Sequence, residues 1–306
     1  MNLTSTATPP AVSSAARETR GMLLGLIGVI VFSLTLPFTR LAVRGLDPVL
    51  VATGRALAAA LLALCWLRWK RAPLPTRAQW PTLAAVSAGC VLGFPLLTSI
   101  AMRSVPAAHG AVLVGVLPLA TALVSALRGH ERPSAGFWLL AALGSALVAA
   151  FALRQGGGGL HGADLAIFAA VLCAAVGYAE GGRLSQSMGG EQVIGWALVL
   201  SLPLAAPATL FLLWRDWPAV AAAPASAWLG FAYVSVFSMF IGFFFWYRGM
   251  ALGGVARVGQ VQLLQPGLTL LGAALLLNET LQIEHILFTL AIIAVVGAGK
   301  RMKVRR

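Results

Sequence analysis

Apolar residues run in stretches of about twenty along nearly the whole chain, interrupted by short polar or basic breaks, and that is the length a helix needs to cross hydrocarbon. Ten such stretches stand out, near 21–39, 48–67, 79–101, 107–127, 134–153, 162–182, 192–213, 226–247, 254–276 and 281–299. The pattern predicts an all-α membrane protein with ten transmembrane helices.

The pattern also repeats. Sliding the chain 148 positions along itself superposes Met102, Pro118, Thr121, Leu127 and Glu131 on Met250, Pro266, Thr269, Leu275 and Glu279 without a gap. Each copy then holds five spans, an odd number, so the second must thread the bilayer in the opposite sense. Two inverted five-helix repeats are expected at 21–155 and 160–300, with a disordered cytoplasmic tail over 1–20 and a basic cytoplasmic tail over 301–306. Inverted repeats place a transport site near the bilayer midplane, above all where Pro-interrupted helices correspond, as they do at Pro118 and Pro266.

Composition agrees with a bilayer: 59% of residues are hydrophobic and only 10% charged, against roughly a quarter charged in a soluble domain. The net charge of +13 raises the question of nucleic acid, but the basic residues gather at helix ends and form no face. Alternate loops put sixteen Lys and Arg on the N-terminal side, among them Arg68, Lys70, Arg71, Arg77 and the five between 300 and 306. Five fall opposite, namely Arg40, Arg44, Arg103, Arg154 and Arg215. The positive-inside rule therefore puts both termini in the cytoplasm of a bacterial inner membrane, with lipids as partners and no nucleic acid. Cys65, Cys90 and Cys173 lie inside apolar spans and form neither a disulfide framework nor a metal pattern.

The Gly run at 156–159 falls between the halves. It lacks the strand and the Lys-Ser or Lys-Thr of a phosphate loop, so it reads as a hinge. No metalloprotease motif and no carboxylate pair occurs in a span, so neither an enzyme nor a cofactor is expected. Nothing resembles a channel filter.

Helices one and two read Phe32-Ser33-Leu34-Thr35-Leu36-Pro37-Phe38, then Leu46-Asp47-Pro48 and Gly54-Arg55-Ala56; the two halves close on Glu131-Arg132-Pro133 and Asn278-Glu279-Thr280. In these motifs the chain resembles the EamA-type branch of the drug/metabolite transporter superfamily from residue 21 to 300. The resemblance implies ten helices in inverted repeats, cytoplasmic termini, and export or exchange of small metabolites. Around helices eight and nine it is similar to exporters of aromatic amino acids. It implies a central cavity formed by helices one, three, four, six, eight and nine, working by alternating access.

Several residues are candidates for contact with a small-molecule substrate. Arg55 is the one basic residue deep in a span, where an ionised side chain needs a partner or water. A structural role bonded to carbonyls competes there with contact to a substrate carboxylate, and its place in a fold motif favours the first. His109 and Arg257 occupy equivalent positions nine residues before Pro118 and Pro266, where they either anchor at the interface or flank the cavity. Helix eight carries Tyr233, Phe237, Phe240, Phe244 and Tyr247 at helical spacing, with Phe243 and Trp246 on another face, and helix nine offers Gln260, Gln262 and Gln265. Stripe and amides together describe an amphipathic pocket, although an aromatic stripe also serves as core or lipid contact. Tyr178 lies in helix six, the repeat counterpart of helix one with Thr35 and Phe38. Glu180 beside Arg183 reads as a salt-bridged helix end more than a proton relay, and Glu131 and Glu279, expected to close tight hairpins in the two halves, argue by their repetition for capping or hairpin geometry over catalysis.

Overall fold

The computed structural model describes residues 14–128, 132–155, 161–253, 258–259, 261–301 and 304–305. Seven helices are long and apolar enough to cross a membrane: α1 (Arg17–Val43), α2 (Pro48–Trp69), α3 (Trp80–Ser104), α4 (Ala107–Arg128), α6 (Gly162–Met188), α7 (Gly190–Arg215) and α8 (Ala225–Gly253). Three shorter apolar ones accompany them: α5 (Trp138–Arg154), α9 (Gln262–Leu277) and α10 (Ile283–Val295). Arg132–Pro133 and Val304–Arg305 form a two-residue antiparallel pairing, which departs from a purely helical reading. Several helices outrun their apolar stretches. For example, α6 continues to Met188 because Arg183 pairs with Glu180 one turn back.

Among the described residues five helices are irregular, and prolines explain four of them. Pro37 has no N–H for the carbonyl of Ser33, and α1 is interrupted at Leu34. In α3 the ring of Pro95 follows a π-helical turn, Ser87–Gly93, which widens the backbone just before it. Pro118 interrupts α4 between Ala107–Val114 and Leu117–Arg128. The repeat-related Pro266 follows a 3-10 turn, Gln262–Leu264, in α9. In both of these helices a threonine donates back across the irregular turn, Thr121 to the Leu117 carbonyl and Thr269 to that of Gln265, each at 2.9 Å. The fifth irregular helix, α8, contains no proline. It nevertheless carries a π segment, Tyr233–Ile241, that ends at the residue matching the end of the one in α3.

The packing has its own regularity. Helix α1 lies on α8 as α6 lies on α3, and α2 meets α3 as α7 meets α8. The pairs α2 with α7, α4 with α9 and α5 with α10 are their own counterparts, so adding five to every helix number maps most of the contacts among the described residues onto themselves; α4 with α10 and α1 with α4 are the exceptions, having no counterpart of similar extent.

Helices in lipid gain little from hydrophobic burial against one another, so close approach has to come from small residues. At the α1–α8 crossing, Gly21 and Gly25 face Gly249 and Gly253; a Cβ at Gly21 would sit 2.4 Å from the Gly253 nitrogen, and one at Gly249 would sit 2.8 Å from the Gly21 oxygen. The α3–α6 crossing is built alike, with a Cβ at Gly89 reaching 2.3 Å from the Cys173 carbonyl. Backbone atoms stand on both sides, so nothing flexible can give. Gly21→Ala is expected to cost about 1–3 kcal/mol, the usual range for overpacking, read as a lower melting midpoint in detergent. An unchanged midpoint would show that the helices separate freely.

Outside this packed interior, large apolar residues such as Leu61, Leu139, Leu204, Leu210 and Leu275 are exposed, as a surface facing lipid requires.

Candidate functional site

A cavity of about 630 Å³, counted up to its open mouth, lies where the irregular turns converge. Helix α4 contributes Val114, Gly115 and Pro118, and α9 contributes Gln262, Gln265, Pro266 and Thr269, so the repeat-related interruptions face the same space. Helix α1 adds Phe32, Thr35 and Leu36, α3 adds Cys90 and Phe94, α6 adds Ala174 and Tyr178, and α8 adds Ser238 and Phe243. The six expected helices all take part, and α2 adds Arg55.

Arg55 is 2% exposed. Its Nη2 donates to the Ser238 hydroxyl at 3.0 Å, and that hydroxyl lies 2.8 Å from the Thr35 hydroxyl. Three helices are thereby tied at the two places where their backbones are irregular, Leu34 in α1 and the π segment of α8. The carbonyl partners expected for a structural arginine are missing: Nε and Nη1 have no partner among the described residues. Arg40 shows the contrast, donating through Nη1 to the carbonyls of Met102 (2.7 Å) and Val105 at the end of α3.

An aromatic group forms one wall. Phe32 stacks on Tyr178 at 6.4 Å and meets Phe243 edge-on at 4.9 Å, with Trp246 behind them. This is not the stripe expected from helical spacing. Tyr233 stacks on Phe38 at 4.0 Å and on Phe237 at 5.4 Å, and Phe244 packs on Phe240 and Trp66. None of these five residues, Phe38, Tyr233, Phe237, Phe240 or Phe244, lines the cavity, and Phe237 is 47% exposed. The cause is the π segment, which inserts a residue and rotates the remainder of α8 about its axis. Ser238 and Phe243, five apart, consequently share the inner face in place of the i, i+4 set. Tyr247 instead locks α8 onto α6, donating to the Gly177 carbonyl at 3.0 Å.

Of the other expected residues, Thr35, Tyr178 and Gln262 line the cavity. His109 does not. It is buried against Phe151, with Nε2 2.6 Å from Asp164 Oδ1, and Asp164 also accepts the His161 N–H at the start of α6. Asp164 was legible only as an acid at the third position of a helix, the position of a capping-box partner. Ser238, a lone hydroxyl in an aromatic run, gave no signal. Gln260, Arg257 and Glu131 lie outside the described residues. Glu180 is away from the cavity, held by Arg183 at 2.9 Å and Arg128 at 3.4 Å. Among the described residues no cluster of His, Cys, Asp and Glu is suited to a metal ion.

Among the described residues four acid–base pairs join residues before 155 to residues after 160: Arg40 with Glu279, His109 with Asp164 and Arg154 with Glu284 at the end where α4 and α6 begin, and Arg128 with Glu180 at the opposite end.

The sequence matches the family described as "EamA-like transporter family" twice, over residues 19–153 and 161–298. The chain belongs to the EamA-like transporter family. A curated relative, "Uncharacterized transporter YdeK" of Bacillus subtilis (strain 168), is 47% identical over 285 residues, covering 93% of this chain and 98% of the relative. A solved crystal structure has the same fold, with a TM-score of 0.62 at 19% identity, covering 93% of this chain and 97% of its own. As an EamA-like transporter, the protein is a multi-pass membrane protein that works on a small-molecule substrate among lipids. The two family matches fall on either side of the Gly run at 156–159.

Proposed function

We propose that this EamA-like protein is a bacterial inner-membrane secondary exporter of small amphipathic metabolites, with amino acids bearing aromatic or bulky apolar side chains as the substrate class. It crosses the membrane ten times as two inverted five-helix repeats with both termini cytoplasmic, and works by alternating access around the central cavity. The observation that carries this reading is the cavity itself, bounded by the repeat-related irregular turns before Pro118 and Pro266. The contact pattern that largely maps onto itself supports two equivalent halves, and the placement of Lys and Arg supports the orientation. The wall of Phe32, Tyr178 and Phe243 suits a planar apolar side chain, while Gln262 and Gln265 suit a polar end. On this orientation the three acid–base pairs at the end where α4 and α6 begin lie on the outer side and have to part for the cavity to open outward.

Reconstituted liposomes offered labelled phenylalanine, tryptophan, threonine and a cationic dye, with and without a pH gradient, test the proposal. Flux of the aromatics alone is expected. Dye flux would instead indicate a multidrug exporter, and silence from every solute a non-transporting scaffold. Cysteines introduced at Ala15 and Arg154 should label from opposite compartments; labelling from one side would remove the inverted topology.

A further inference from the structure

Every guanidinium has five N–H donors, and Ser238 occupies one of those on Arg55. Nε and Nη1 are buried and unpaired, at the wall of a cavity whose lining among the described residues includes no Asp or Glu. An arginine keeps its charge at neutral pH, and a buried charge without a counter-charge is unfavourable. A structural arginine would have spent its donors on carbonyls, as Arg40 does. Here the donors are held ready, with the side chain positioned through Ser238, which is itself fixed by Thr35. The planar fork of a guanidinium matches the two oxygens of a carboxylate.

We propose that Arg55 is the docking point for a substrate carboxylate, so that the cavity accepts acids and zwitterions with an apolar body and excludes bare amines. This rests on the transport reading above and narrows its substrate class. The apolar body lies against Phe32 and Phe243, and the uncharged acceptors Gln262, Gln265 and Tyr178 are left for an amino or hydroxyl group. A cation without a carboxylate meets Arg55 with nothing to offset the repulsion.

Three probes share one ring system: phenylalanine, 3-phenylpropionate and phenethylamine. With the purified full chain, the first two should raise the melting midpoint and compete with labelled phenylalanine in liposomes, and phenethylamine should do neither. Arg55→Met should melt at or above the unliganded wild type, because Ser238 and Thr35 still satisfy each other, and should bind 3-phenylpropionate at least about tenfold more weakly, the loss expected for a charge-assisted contact. Arg55→Lys should fall between them, keeping the charge but not the fork. Phenethylamine competing as well as 3-phenylpropionate would overturn the proposal, and so would an Arg55→Met protein that melts lower yet binds the acid unchanged. Wild type that moves no amino acid defeats the transport reading alone, since 3-phenylpropionate stabilising wild type but not Arg55→Met still supports the site.

Discussion

Replacing His109 with leucine will lower the stability of the protein by about 3–5 kcal/mol, the range for breaking a buried ion pair from one side. Asp164 is 1% exposed, and without His109 its carboxylate keeps only the His161 N–H at 3.0 Å and the exposed His161 ring at 3.8 Å. The reverse change, Asp164→Leu, should cost less, about 2–4 kcal/mol, because it removes a helix-start cap and one hydrogen-bond partner of the His109 ring but leaves no buried carboxylate behind. The double variant should be more stable than the sum of the single losses predicts, since neither polar group then remains to be satisfied. Melting of the four proteins in detergent measures this cycle. Additive losses would mean that the 2.6 Å contact between His109 and Asp164 carries no coupling.

Glu279→Ala will lower stability by about 2–4 kcal/mol, for a reason that crosses the midpoint of the chain. The carboxylate does not close its own hairpin. Its two oxygens accept the N–H groups of Ala107 (3.0 Å) and Ala108 (2.9 Å) at the start of α4, and Arg40 Nε lies 3.3 Å away. One residue after α9 thus caps a helix of the first half, while Arg40 satisfies the last carbonyls of α3. Glu279→Gln keeps one acceptor oxygen but loses the charge, and should cost about half as much. If the alanine variant melts with the wild type, water has replaced the cap and the junction between halves is looser than its geometry indicates.

Helix positions were readable because lipid leaves the chain so little choice: twenty apolar residues bounded by arginine have few alternatives. The prolines at 118 and 266 were equally plain, and a proline's missing donor has a local consequence that needs no neighbour to predict. What failed was phase. Reading α8 at 3.6 residues per turn assigned Phe240 and Phe244 to the pocket, and a π segment with no proline to announce it turned Ser238 and Phe243 inward instead. Arg55 was conspicuous, but its partner was not, because the serine that positions it belongs to a helix 183 residues away. His109 was noticed for its place in the repeat and proved to be a strut, since the acid that holds it lies in the other half. Periodicity reports the faces of single helices and says nothing of which faces meet.

The helix contacts that survive renumbering by five have a bearing on energetics. On the alternating-access mechanism proposed above, the opposite pose would reuse most of these crossings in exchanged roles, and the two poses would differ chiefly in the acid–base pairs gathered where α4 and α6 begin. Were transport on that mechanism also uncoupled, traffic would follow whichever compartment holds more solute, and the protein would serve a cell as a relief valve, passing surplus outward and falling idle once the two concentrations level.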